Sequence, residues 1–213
     1  MHLLGAKVIV ISNKIPTNPS HFKYLQMKNK IKNIKLDIRD LKKLKSTFKS
    51  YKPDYVFHLA AQALVKESYL NPVETISTNA LGTINVLESV KSLKKCVCIL
   101  VTSDKCYKNN EWVWGYREQD ELGGDDPYSA SKAMAEIAIN SYFKSFYEGN
   151  NDLLIGSARA GNVIGGGDWS NDRIIPDAIK CWSSDQILKI RMPEATRPWQ
   201  HVLEPLSGYI KMA

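Results

Sequence analysis

Apolar positions along this chain fall into short runs that alternate with segments of helical spacing. Residues 6–12 (AKVIVIS) form a nearly continuous apolar stretch, the pattern of a parallel strand covered on both faces. The next stretch, NKIPTNPS, reads as a loop marked by Pro16, Asn18 and Pro19. Residues 31–37 give a second strand. LDIRDLKKLKSTFKSY then starts a helix with Asp37 or Asp40 near its N-terminus, where a carboxylate suits the peptide dipoles. A third strand covers 55–59 and ends at Ala60-Ala61, small enough for a bound molecule to approach the backbone. From Asn71-Pro72 to Val90 the spacing is helical, with Ile76, Ala80, Thr83 and Leu87 in one stripe. Asn79 lies beside that stripe, where an asparagine is more often solvated than turned inward. Further strands are expected at 97–101 and 153–158, with a helix containing Tyr128 between them. Strands alternating with helices imply βαβ units, hence an α/β fold on a doubly wound parallel sheet.

The chemistry concentrates between Val97 and Lys132. The strand VCILV runs into TSDKCY, and DPYSASK opens the later helix. Ligands of open α/β sheets gather beyond the carboxyl ends of strands, which is where Thr102, Ser103, Asp104 and Lys105 fall. Asp126 can cap the helix, and Pro127 suits its first turn because it has no amide hydrogen to lose. Tyr128 and Lys132 then share one face. An ammonium beside a phenol favours phenolate, whose ordinary pKa of about 10 is too high for a base at neutral pH. Alone, a Tyr-x-x-x-Lys spacing is common by chance and a Ser-Asp pair is ordinarily a turn. Their combination in this order, after a strand, points to proton transfer.

Composition narrows the classes. Hydrophobic content of 44% and charged content of 24% are those of a globular domain, and no apolar run approaches the roughly 20 residues of a membrane span. Residues 1–11 lack a small-residue cleavage site and do not read as a signal peptide. The net charge of +7 permits an anionic partner. Lys42, Lys43, Lys45 and Lys49 are most simply the solvated face of a helix whose Leu41, Leu44 and Phe48 point inward, and no nucleic-acid-binding pattern accompanies them. The four cysteines lack metal-site spacing and read as reduced thiols of a cytoplasmic protein. Beyond 158, Gly161, Gly165, Gly166 and Gly167, with Asn162 and Arg173 among them, suit a loop around a phosphate or sugar. Arg191, Arg197 and His201 follow, where an arginine fork would suit a diphosphate.

The motifs FHLAAQALVKES, STNALGT, VTSDKCY, WVWGYRE, DPYSASK, RAGNVIGGGDW, DRIIPD and RPWQHVLEPLSGY resemble the extended short-chain dehydrogenase/reductase superfamily from residue 5 to the last. TSDKCY, GNVIGGGDW and RPWQHVLEP are similar to its CDP-glucose 4,6-dehydratase branch. The resemblance implies an NAD-dependent hydro-lyase that makes a 4-keto-6-deoxy sugar nucleotide for deoxysugar and surface polysaccharide synthesis. By the same resemblance Tyr128 is the base for the sugar 4-hydroxyl, and Lys132 holds the nicotinamide ribose. Ser103 binds the same hydroxyl, Asp104 is the acid at the 6-hydroxyl, and Lys105 stands where related dehydratases carry the glutamate that takes the C5 proton. Asp37 and Ile38 flank adenine, Ala60, Ala61 and Gln62 line NAD, and Asn79 and Thr102 lie near it. Asn162, Arg173, Arg191, Arg197 and His201 face the nucleotide sugar, and no metal is expected.

The resemblance also implies departures. No glycine-rich phosphate turn precedes Gly5, so a strand-turn-helix unit of about 30 residues is expected to be missing, and the chain stops inside a helix begun after His201-Val202. Residues 1–163 are then an N-terminally incomplete NAD-binding domain, and 164–213 the start of a sugar-nucleotide lobe. Full length, the protein is expected to be a homo-oligomer. A polypeptide so shortened is expected to bind NAD poorly. A sugar-nucleotide epimerase or decarboxylase of the same fold, or an inactive remnant acting as a binding subunit, are the rival readings.

Overall fold

The computed structural model describes residues 1–213. In chain order, the first elements are β1 (Ile9–Ser12), α1 (His21–Tyr24), β2 (Lys32–Lys35), α2 (Leu41–Tyr51), β3 (Tyr55–His58) and α3 (Val65–Leu70). Next come α4 (Pro72–Ile76), a π turn (Ser77–Leu81), α5 (Gly82–Val90), β4 (Cys96–Val101), a 3-10 turn (Asp104–Cys106) and α6 (Pro127–Tyr142). The last are β5 (Leu153–Ala158), β6 (Val163–Ile164), α7 (Ile174–Trp182), β7 (Gln200–His201) and α8 (Leu203–Met212). No helix is long and apolar enough to cross a membrane. Packing groups the chain into two compact units, Met1–Asp37 with Asn162–Leu203, and Ile38–Gly161 with Glu204–Ala213.

The unit begun by Ile38 carries a parallel sheet in the order β3-β4-β5, with Tyr55 opposite Val97 and Cys96 opposite Leu153. β4 is central, and its Cys96, Cys98, Ile99 and Leu100 are buried. Burial pushes the Cys96 thiol up to about 12, so it is an inert, protonated filler. Leu87, Val90 and Leu100 have no exposed surface, and each contributes roughly 1.5–3 kcal/mol of apolar burial. α2 forms as its spacing predicts: Asp40, not Asp37, is the cap, accepting from the Lys43 amide at 3.0 Å, and Leu44 and Phe48 turn inward. α2 packs on α5, where Asn85 donates to the carbonyls of Ile38 and Arg39 at 2.9 and 3.1 Å. The approach needs Gly82, because a Cβ there would lie 2.5 Å from the Ile38 Cδ1.

The other unit holds two small parallel sheets, β1-β2 and β6-β7. Its strands are shorter than the apolar runs suggest, and β1 is half-buried along its whole length instead of covered on both faces. The physical reason is a thin core: in these segments Leu36 and Ala178 are the buried hydrophobic residues.

Candidate active site

α6 starts where the sequence places it. Asp126 accepts from the Ser129 amide at 2.9 Å and from its hydroxyl at 2.6 Å, and Pro127 occupies the first turn. Tyr128 and Lys132 therefore lie one turn apart, with the Lys132 Nζ 6.0 Å from the centre of the Tyr128 ring. Lys132 is buried. Burial holds its pKa down to about 8, while Cys106 and Glu136 act in the opposite direction.

The turn after β4 packs directly on α6. Ser103 caps this turn: its hydroxyl accepts from the Lys105 amide at 3.1 Å and donates to Asp104 Oδ1 at 2.9 Å. Hydroxyl, carboxylate and amine are thus carried by three consecutive residues beside the helix that bears Tyr128. Thr102, just before them, is turned into the fold and donates its hydroxyl to Glu136. The helix that carries the phenol and the amine thus packs against a turn that carries a carboxylate, which brings groups of the kind used in general acid and base chemistry onto adjoining elements.

Behind this pair lies a polar network at the end of β3. Gln62 donates its amide N–H to Asn79 Oδ1 at 2.8 Å, and Asn79 Nδ2 donates to the Gln62 carbonyl and to Ser131 Oγ at 2.9 and 2.8 Å. The Gln62 side chain is itself held by Leu64 and Thr75. Asn79 is 2% exposed, which corrects the solvated reading of a lone asparagine beside an apolar stripe. It sits in the π turn, whose extra residue turns it inward, and it braces the loop after β3 against α6. Ala60 and Ala61 are half-buried beyond β3, and Ile38 packs into the core against Gly82. Asp37 is half-buried and belongs to the other compact unit.

That unit also carries Asn162, Arg173, Arg191, Arg197 and His201. Arg173 pairs with Asp168 at 3.0 Å and Arg191 with Asp172 at 3.6 Å, so acids of the DWSND loop already hold two of the arginines. Arg197 donates to the Thr196 carbonyl at 2.6 Å and is exposed. The Asn162 carbonyl accepts from the Gln200 amide at 3.0 Å, and His201 Nδ1 accepts from the Leu203 amide at 3.3 Å. In the glycine run, Gly167 adopts φ +82 with His21 so close that a Cβ would lie 2.5 Å from its ring.

Sequence reasoning missed His58, Ser131, Glu136 and Arg159. Glu136 had a signal, since it stands four residues beyond Lys132 on the same helix face. The others are joined to the site by partners distant in sequence.

Parallel sheets flanked by helices, with Tyr128-x-x-x-Lys132 on the helix beside the β4 turn, define a protein of the short-chain dehydrogenase/reductase class. The model of the GDP-mannose 4,6 dehydratase family matches residues 4–213, and the chain belongs to that family. It is 47% identical over 215 residues to CDP-glucose 4,6-dehydratase of Salmonella typhimurium, covering 99% of this chain and 60% of that protein. It is 34% identical over 153 residues to dTDP-D-glucose 4,6-dehydratase of Dictyostelium discoideum, covering 67% of this chain and 34% of that one. The chain therefore spans less than two thirds of the length of either relative. Among solved structures, a double mutant of the dTDP-glucose 4,6-dehydratase DesIV of Streptomyces venezuelae, with NAD bound, superposes with a TM-score of 0.82 at 20% identity, over 97% of this chain and 63% of that one. Pal from Bacillus thuringiensis gives 0.84 at 22% identity, over 98% and 66%. At these identities the likeness is one of fold.

Proposed function

We propose that this chain carries the catalytic residues of an NAD-dependent CDP-glucose 4,6-dehydratase, a hydro-lyase that forms CDP-4-keto-6-deoxyglucose. The observation that carries the reading is the packing of the Ser103-Asp104-Lys105 turn on the helix of Tyr128 and Lys132. A sugar-nucleotide epimerase of the same fold has no need of an acid to expel a hydroxyl. The similarity to the Salmonella enzyme supports the nucleotide.

The residues fit a dinucleotide in two respects. The buried Lys132 ammonium lies beside Tyr128 on α6, where it would donate to a ribose hydroxyl. Ala60 and Ala61 present small side chains at the strand end where a cofactor backbone would pass. When bound, NAD would supply the acceptor for oxidation at C4 and the donor for reduction at C6. Tyr128 would take the 4-hydroxyl proton, its phenolate favoured by Lys132. Ser103 would hydrogen-bond the same oxygen. The C4 ketone acidifies C5, so Lys105 would take that proton as Asp104 gives its own to the departing 6-hydroxyl, and would return it to C5 as hydride reaches C6. Residues 1–163 would serve the dinucleotide, with Asp37, Ile38, Gln62, Asn79 and Thr102 lining or bracing its site. Residues 164–213, with Asn162, Arg173, Arg191, Arg197 and His201, would serve the nucleotide sugar. An anionic ligand would have to draw Arg173 and Arg191 away from their present carboxylates. A cytoplasmic homo-oligomer acting in surface polysaccharide synthesis is the setting that fits such a substrate.

Incubation with NAD and CDP-glucose tests the reading. We expect a product lighter by one water and carrying a 4-ketone, and a loss of roughly 10²–10⁴-fold in Asp104→Asn. A CDP-galactose product, or unchanged water loss in the variant, would remove the assignment.

A further inference from the structure

Glu136 and Arg159 form a second polar centre that the proposed chemistry leaves without a role. Glu136 is 4% exposed in the middle of α6. One carboxylate oxygen accepts the Thr102 hydroxyl, and the other accepts the Ser157 hydroxyl at 3.2 Å and Arg159 Nη2 at 2.8 Å. Thr102 follows β4 and Ser157 lies near the end of β5, so the carboxylate ties two neighbouring strand ends to one helix. Arg159 extends the tie outward. Its other nitrogen, Nη1, donates to the Glu118 carbonyl at 2.8 Å, and the guanidinium lies 4.9 Å from the centre of the Tyr107 ring.

Tyr107 and Glu118 belong to the segment 107–122, which leaves the Asp104–Cys106 turn and returns to it. Tyr107 bridges to Leu122, and the Gly123 amide donates to the Cys106 carbonyl at 2.9 Å. Within the segment Tyr107 stacks on Tyr116, and Trp112 on Trp114. One arginine therefore grips both the root of this loop and its returning limb, and the partner of that arginine sits one turn from Lys132.

We propose that Glu136 and Arg159 are positioning residues for the site: the buried pair holds the Asp104-bearing turn and its 107–122 loop in place against α6, and the Glu136 carboxylate sustains the Lys132 ammonium. The second half of this rests on the dehydratase reading; the first does not. The groups that face Lys132 are Tyr128 and Glu136 on α6, Cys106 in the turn, and His58 on β3, with Arg159 beyond Glu136 and Asp104 acting on Cys106. Burial drives the His58 pKa down to about 4 and the Cys106 thiol up to about 12, so both stay neutral between pH 6 and 9. Removing the Glu136 charge also leaves Arg159 unpaired. Both changes disfavour the ammonium, so the sign is fixed: Lys132 loses its proton at lower pH.

Two arms test the pair in the full chain. In the first, limited trypsinolysis follows cleavage after Lys108 and Arg117, both exposed within the loop. Arg159→Met should be cut there at least roughly tenfold faster than the parent, with Arg159→Lys between the two and the global denaturant midpoint checked in parallel. Equal rates in Arg159→Met and the parent, or acceleration spread evenly over all sites, would overturn the clamp. In the second, the pH dependence of water loss from CDP-glucose is compared for the parent and Glu136→Gln, which keeps the shape of the side chain. The alkaline limb should move down by about one pH unit with KM changed less than about twofold. A slower variant with its limb unmoved would assign Glu136 a scaffold role only. No turnover at any pH by a parent shown to bind NAD would count against the dehydratase reading, while the trypsin arm still decides the clamp.

Discussion

His58 ends β3 with its imidazole buried, its Nε2 3.0 Å from the Thr83 hydroxyl. Thr83 gives its only proton to the Asn79 carbonyl at 2.6 Å, so the histidine nitrogen must be the donor of the pair. Burial first, and the charge of Lys132 second, hold its pKa down to about 4 from 6.5. Because the unfolded chain binds this proton between those values and the folded chain does not, stability is lost as pH falls from 6.5 toward 4, by up to about 3 kcal/mol. His58→Gln should flatten that dependence, read from denaturant midpoints at neutral and mildly acid pH, and an equally steep loss in the variant would contradict it. Little of this is legible in FHLAAQ, since burial and Thr83 both come from tertiary packing. Tyr128 and Lys132, by contrast, are legible because helix geometry alone places them together. Glu136 lies between these cases: its spacing shows its face, but not that Thr102, Ser157 and Arg159 converge on it.

Among the elements, α6 is the one whose start is written most fully in local chemistry. Asp126 accepts two hydrogen bonds from Ser129, and Pro127 presets the first turn. Asp126→Ala should lower stability by about 0.5–2 kcal/mol. Because the cap also orients the first turn, which carries Tyr128, catalytic turnover should fall more than the small loss of folded protein explains. Thermal or chemical denaturation together with turnover checks both parts. β5 occupies 153–158 as its apolar run indicates, whereas β1 and β2 fall short of theirs. An apolar run marks what could be buried, while strand ends are set by where a neighbouring strand supplies hydrogen bonds. The acid that caps α2 was ambiguous in sequence for a similar reason: Asp37 and Asp40 both precede the helix, and only the chain path into Leu41 selects Asp40.

At the scale of the molecule, the distribution of buried side chains predicts uneven stability. The unit Ile38–Gly161 with Glu204–Ala213 holds Leu44, Leu87, Val90, Ile99 and Leu100, while the unit Met1–Asp37 with Asn162–Leu203 buries Leu36 and Ala178. Amide hydrogen exchange should show β4 and α5 protected well beyond β1 and β7, and equal protection would contradict this. The family and the placement of Tyr128 and Lys132 on one helix were legible because they rest on motifs read along the chain. The division into compact units was not, because it joins segments separated by more than a hundred residues. One local irregularity ties these scales together. The π turn Ser77–Leu81 inserts a single surplus position into an otherwise continuous helical path from Pro72 to Val90. Its effect is one of phase: it rotates everything downstream relative to everything upstream, so that Thr75 can meet Gln62 while Asn85 and Glu88 meet the α2 region. Excising one residue there would restore a uniform winding and carry one of these two sets of contacts about a quarter-turn out of alignment.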